Sequence, residues 1–227
     1  MQEKMKIKAA IFDMDGTLVD SLMFWGDFAR RINDRYLGRD GFVLDAELDA
    51  AIRTMLFADA MRLVRAFYDI PVSDADFLAF AEDGIADFYR HTVKPKAGVI
   101  AMLDHLRKNG VKLALASATD MKYIRIATEC CGLSEYFPII LSCVDIGKGK
   151  DQPDIYLAAI DALGTQISET CVFEDSAVAL ETAHRVGLMT VGVYDLYTPD
   201  HARVIAVSDR YLAAGEGMET LSDAFTF

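Results

Sequence analysis

The chain has 227 residues, enough for one fair-sized domain or a core domain carrying a smaller second one. Its 52% hydrophobic content, with five prolines and fifteen glycines, excludes a disordered or collagenous chain. Lys and Arg number 23 against 35 Asp and Glu, and a formal charge of −12 argues against nucleic acid as a main partner. A small phosphorylated molecule remains compatible, because a bound cation and one or two lysines reverse the field locally.

No targeting segment is expected, since the apolar run behind Met1–Lys6 stops at Asp13. No stretch approaches the roughly 20 apolar residues of a membrane span, so no membrane partner is expected. The cysteines, Cys130, Cys131, Cys143 and Cys171, form no C-x-x-C pair. They read as reduced thiols in a reducing, cytoplasmic compartment.

In chain order, residues 7–12 form an apolar run ending abruptly in Asp13-Met14-Asp15-Gly16, the pattern of a buried strand and a polar turn. Residues 21–92 then show helical spacing only. The marking residues are Trp25, Phe28, Ala29, Ile32 and Tyr36; Leu48, Ile52, Met55 and Leu56; Leu63, Val64 and Phe67; and Phe77, Ala81, Ile85 and Phe88. Four amphipathic helices inserted after a first strand predict a helical cap, returning to the core near Lys94-Pro95 because Pro95 disfavours helix in the residue before it.

From there strands and helices alternate. Strands are predicted at Val111–Ala116, Ile139–Cys143, Thr170–Phe173 and Met189–Val193, with a further edge strand at Val204–Val207. Val99, Met102, Leu103 and Leu106 mark a helix closed by Asn109-Gly110; Ile124, Ala127 and Cys131 one closed by Gly132. Ile155, Ala158, Ala159 and Ala162 mark one ending at Gly164; Val178, Ala179, Thr182 and Val186 one ending at Gly187. The fold class is α/β: a doubly wound, mostly parallel, Rossmann-like core from 1–20 and 93–227, with the cap at 21–92.

Ligands in such sheets bind beyond the carboxyl ends of the strands. Asp13 and Asp15 follow one strand, and Glu174-Asp175-Ser176 follow another. Carboxylates gathered at one edge repel unless a cation or a shared proton compensates, and oxygen donors suit Mg²⁺. Ser117-Ala118-Thr119 offers hydroxyls to a phosphate oxygen, and Gly147-Lys148-Gly149-Lys150 offers a cation in a flexible loop. Singly, each feature has a bland reading as an acidic turn or a solvated lysine. The four histidines, His91, His105, His184 and His201, lack metal-ligand spacing and read as structural or exposed.

The stretch Asp13-Met14-Asp15-Gly16-Thr17-Leu18-Val19-Asp20 resembles the first motif of the haloacid dehalogenase-like phosphatases. Ser117 matches their second motif, Lys150 their third and Glu174-Asp175-Ser176 their fourth. Order and spacing resemble the branch containing β-phosphoglucomutase and phosphoglycolate phosphatase, over nearly the whole chain. Two departures stand out: the third motif lacks the proline after its lysine (Lys150-Asp151-Gln152-Pro153-Asp154), and Ala179 replaces a common glycine. Lys148 is an alternative to Lys150, although Pro153-Asp154-Ile155-Tyr156 sets the register for Lys150.

The resemblance implies a Mg²⁺-dependent phosphatase for a small phosphorylated metabolite, a monomer or modest homodimer. Asp13 would be the nucleophile and Asp15 the acid and base. Asp13, the Asp15 backbone carbonyl, Glu174 and Asp175 would hold the metal. Met14, Gly16, Ser117, Ala118 and Lys150 would bind phosphate. A phosphosugar mutase is the alternative, disfavoured because Trp25 stands where that enzyme's cap histidine would fall. A non-catalytic binding protein is the third reading, disfavoured because both first-motif carboxylates remain. Residues 21–93 contain no lysine for a Schiff base, and Asp15 argues against a dehalogenase. Trp25 itself is read either as packing between cap and core or as part of the substrate pocket's roof.

Overall fold

The computed structural model describes residues 4–52, 55 and 57–227, apart from the side chain of residue 50. Its strands are β1 (Met5–Lys6), β2 (Ala9–Phe12), β3 (Lys112–Ser117), β4 (Ile139–Ser142), β5 (Thr170–Glu174), β6 (Met189–Val193), β7 (Arg210–Leu212) and β8 (Phe225–Thr226). Six of them form one parallel sheet in the order β4-β3-β2-β5-β6-β7, while β1 and β8 pair separately. The chain winds outward from β2 to β4, then returns to β2's other side with β5. The order therefore reverses between β2 and β5, and the carboxyl ends of these two strands flank the crevice where such sheets bind ligands.

By chain contacts the protein divides into two compact units, one running through Leu22 and resuming at Val93, the other Met23–Thr92. The second unit is helical: α1 (Phe24–Ile32), continued by a wider π turn over Asn33–Leu37, then α2 (Ala46–Ile52), α3 (Phe57–Phe67) and α4 (Asp74–His91). Its interior is aromatic. Phe28 lies against Phe24, Phe77 and Phe80, and Phe88 meets Phe24 edge-on. The Arg31 guanidinium ties α1 to α4 through Asp87 at 2.5 Å. Ser73 caps α4, its hydroxyl accepting from the Asp76 N–H at 3.1 Å. Trp25 is half-buried within this unit, against Phe24 and Phe28.

Several of the predicted apolar stripes are corrected. On α3 the buried residues are Ala60, Met61 and Val64, whereas Leu63 and Phe67 are exposed. Met55 lies beyond the end of α2 and is exposed, and Leu56 falls outside the described residues. Apolar spacing identifies the helix but not how wide a face its neighbours cover.

The remaining helices belong to the sheet-bearing unit: α5 (Val99–Lys108), α6 (Met121–Cys130), α7 (Cys143–Ile146), α8 (Asp154–Leu163), α9 (Ala177–Arg185) and α10 (His201–Ala206). Ala9, Ile11, Ala114, Ala116 and Val172 on one sheet face pack with Ile155, Tyr156, Ala159 and Leu163 of α8. On the other face Phe12 stacks on Phe173 at 4.2 Å, and these rings meet Phe137 and Phe225. Phe12 and Phe173 are fully buried, and each such ring contributes about 1.5–3 kcal/mol by leaving water. With both faces covered, the strands read as apolar runs rather than alternations. No described helix is long and apolar enough to cross a membrane.

The expected edge strand at Val204–Val207 is a correction. Those residues lie in and at the end of α10, which starts where the Asp200 carboxylate accepts from the Arg203 N–H at 3.2 Å. Only Val204 of them is buried, with Ile205 exposed. The edge strand is β7, three residues further on. Val178, expected on the apolar stripe of α9, is exposed as well.

Candidate active site

The turn after β2 is tight. The Met14 carbonyl accepts from the Leu18 and Val19 N–H groups at 2.9 and 3.0 Å, and Gly16 N–H donates to the Val19 carbonyl at 3.0 Å. Gly16 lies at φ +81°, where a side chain is strained, and a Cβ there would stand 2.8 Å from Asp175 Oδ2. Gly16 was expected to lend its N–H to phosphate. In the structure that N–H donates within the turn, and the lack of a side chain leaves room for the Asp175 carboxylate beside the backbone.

Asp13, Glu174 and Asp175 are buried and present carboxylate oxygens within 4.8 Å of one another. Lys150 joins them from the loop before α8. Its Nζ donates to Asp13 Oδ1 and, at 2.5 Å, to Glu174 Oε1, with only 10% of the side chain exposed. Lys148, by contrast, is exposed and pairs with Asp154 at 2.6 Å. The Asp151 side chain is exposed too, and its backbone carbonyl accepts from Thr182 and Arg185.

Burial drives the Asp13 carboxyl well above the usual carboxylate range, Lys150 opposing this and Glu174 and Asp175 adding to it. Burial, then the Glu174 charge, pushes Asp175 up to about 7. For Lys150 burial acts downward, yet the Asp13 and Glu174 charges outweigh it and hold the ammonium well above its ordinary value. Three carboxylates against one ammonium leave two negative charges when all are ionised. A divalent cation with oxygen ligands fits that set in charge, donor type and spacing.

Asp15 has a different environment. Its carboxylate accepts from Ser21 Oγ at 2.6 Å and from Thr119 Oγ1 at 2.7 Å, and it stands outside the three-carboxylate group. Thr119, read from sequence only as a phosphate hydroxyl beside Ser117, is thus a partner of Asp15. Ser117 is buried at the end of β3, where its Oγ accepts from the Thr119 N–H at 3.1 Å, and Ala118 is exposed. Met14 is fully buried.

Sequence reasoning missed Ser21, Thr17, Thr198, Asp195 and Lys96. Thr17 and Thr198 both donate to Asp175, the first at 3.4 Å. Lys96 bridges Asp195 at 2.6 Å and Asp20 at 2.8 Å. The available signal was position: Asp195 and Thr198 follow β6 at the same sheet edge.

Residues 7–187 match the family model of the haloacid dehalogenase-like hydrolases. The chain belongs to that family. Among curated relatives, a phosphorylated carbohydrates phosphatase of Thermotoga maritima is 25% identical, over 80% of this chain and 82% of its own. Hexitol phosphatase A of Escherichia coli is 27% identical over 83% and 84%. A solved structure described as a putative β-phosphoglucomutase from Thermotoga maritima superposes with a TM-score of 0.80, covering 96% of this chain and 99% of that one at 24% identity. This haloacid dehalogenase-like hydrolase thus shares its fold with that protein.

Proposed function

We propose that this hydrolase is a Mg²⁺-dependent phosphatase of small phosphorylated sugars or related metabolites, acting through an aspartyl phosphate on Asp13. The observation that carries the reading is the separation of two aspartates on one turn. Asp13 lies in the buried carboxylate group beside Lys150, while Asp15 is held by hydroxyls outside it. One turn thus supplies a nucleophile and a separate proton carrier.

In the first step an Asp13 oxygen attacks phosphorus, the ester bond breaks, and the leaving oxygen takes a proton from Asp15. In the second, Asp15 accepts a proton from a water that attacks the acyl phosphate, releasing phosphate and restoring Asp13. Lys150 and Ser117 bind the equatorial oxygens where charge spreads. Asp13, Glu174, Asp175 and the Asp15 carbonyl would hold Mg²⁺, which neutralises phosphoryl charge and orients the group when bound. Support for the substrate class comes from the relatives, which are named as phosphatases of phosphorylated carbohydrates and hexitols. The helical unit is the candidate cap, and the cytoplasm the candidate location.

The test is a panel of phosphorylated sugars, polyols and phosphoglycolate with Mg²⁺, scored by phosphate release. Asp13→Asn should abolish turnover. Release of phosphate at the wild-type rate from that variant would remove the assigned nucleophile. Glucose 6-phosphate formed from β-glucose 1-phosphate would favour the mutase reading instead.

A further inference from the structure

Asp175 is held from three sides. Thr17 Oγ1 donates to Oδ1, Thr198 Oγ1 donates to Oδ2, and the backbone of Gly16 lies close against the carboxylate. Thr198 comes from the loop after β6 and is only 6% exposed. Packing alone would accept valine at such a position, which matches threonine in shape. The hydroxyl is what the carboxylate uses.

The loop carrying Thr198 is itself anchored. Asp195 Oδ1 accepts from the Tyr197 N–H at 2.9 Å, its carbonyl accepts from the Thr198 N–H at 3.2 Å, and His201 Nε2 lies 2.8 Å from that carbonyl. Asp195 Oδ2 takes the Lys96 ammonium at 2.6 Å, and both side chains are largely buried. The loop's backbone therefore leaves Thr198 little freedom to move away from Asp175.

We propose that Thr198 is a positioning residue, fixing the Asp175 carboxylate as a divalent-cation ligand, with Asp195 and Lys96 holding the loop that carries it. The inference rests on the metal reading given above for Asp13, Glu174 and Asp175. A ligand carboxylate free to rotate must be ordered when the cation binds; one clamped at both oxygens is ordered beforehand. Outer partners of this kind change metal affinity by about 10–100-fold.

The experiment is titration of the metal-free full-length protein with Mn²⁺, followed by the EPR signal of the free ion, and with Mg²⁺ by calorimetry, both without substrate. Thr198→Val should weaken binding of both cations at least about tenfold, and Thr198→Ser should restore it to within about twofold. Thr198→Ala provides a second truncation should the valine variant fold poorly, with circular dichroism and melting of the metal-free proteins as the check. A melting shift with unchanged affinity would make Thr198 a packing residue and overturn the proposal. Wild-type protein that binds neither cation would overturn the metal reading and this inference with it. Wild-type binding matched by Thr198→Val overturns the inference alone.

Discussion

Gly16→Ala separates backbone strain from displacement of Asp175, the proposed metal ligand. At φ +81° an added methyl costs about 1–2 kcal/mol in strain alone. It also meets Asp175 Oδ2 at 2.8 Å, Asp175 Cγ at 2.9 Å and Leu22 Cδ1 at 2.9 Å. Leu22 can rotate away; Asp175 is pinned by Thr17 and Thr198, so the carboxylate must shift against both hydrogen bonds. That overlap adds about 1–3 kcal/mol. Gly110→Ala is the control, because Gly110 has φ +76° with nothing within 4 Å of the added Cβ. At about 2–4 °C per kcal/mol the control should melt a few degrees low and Gly16→Ala lower still. The decisive measurement is the further rise in melting temperature with Mg²⁺. A tenfold loss of affinity removes about 1.4 kcal/mol of that stabilisation at saturating metal. The control should keep the whole rise and Gly16→Ala should lose much of it, together with phosphate release. If the two variants melt alike and respond alike to Mg²⁺, Asp175 is not held against Gly16 in the way described.

Lys150→Met should leave Asp13 and Glu174 buried without their cation, destabilising the metal-free protein by about 3–5 kcal/mol in melting or urea titration, with Mg²⁺ recovering part of the loss. Asp15→Asn should bind Mg²⁺ like wild type by calorimetry yet lose at least about a hundredfold in turnover, since its carboxylate stands outside the three-carboxylate group proposed to hold the cation. Asp175 is raised to about 7, so the folded metal-free protein holds more protons than the unfolded chain between about pH 4 and 7. Stability of the metal-free form should accordingly fall as pH rises through that window, while Mg²⁺ affinity should rise and binding should release protons, read from calorimetry in buffers of different ionisation enthalpy. Of the four cysteines only Cys130 is exposed, so one thiol should react rapidly with Ellman's reagent in the native protein and four after denaturation.

The parallel sheet was legible in the sequence because strands buried on both faces are short apolar runs, and five of the six show as such. The run Val204-Ile205-Ala206-Val207 misled, because four apolar residues look the same in a strand as in a turn of helix; the Asp200 cap decides between them. The helices of residues 23–92 were legible from their period, but which residues of α3 are buried was not. Leu63 and Phe67 are as apolar as Met61 and Val64, and only their neighbours in space distinguish them.

At the site, Asp13, Asp15, Lys150, Glu174 and Asp175 stand out in sequence because charged residues directly after apolar strands are conspicuous and share a sheet edge. Sequence could not assign their partners. That Lys150 rather than Lys148 reaches Asp13 depends on how the loop before α8 folds back. That Asp15 turns to Ser21 and Thr119, leaving three carboxylates together, depends on the turn closed by Gly16 and on the neighbouring end of β3. Thr198, separated from Asp175 by a helix and a strand, is an ordinary threonine until β6 lies beside β5. Residue type and order are local properties of a chain. A hydrogen bond between distant side chains exists only once the sheet has set its strands side by side.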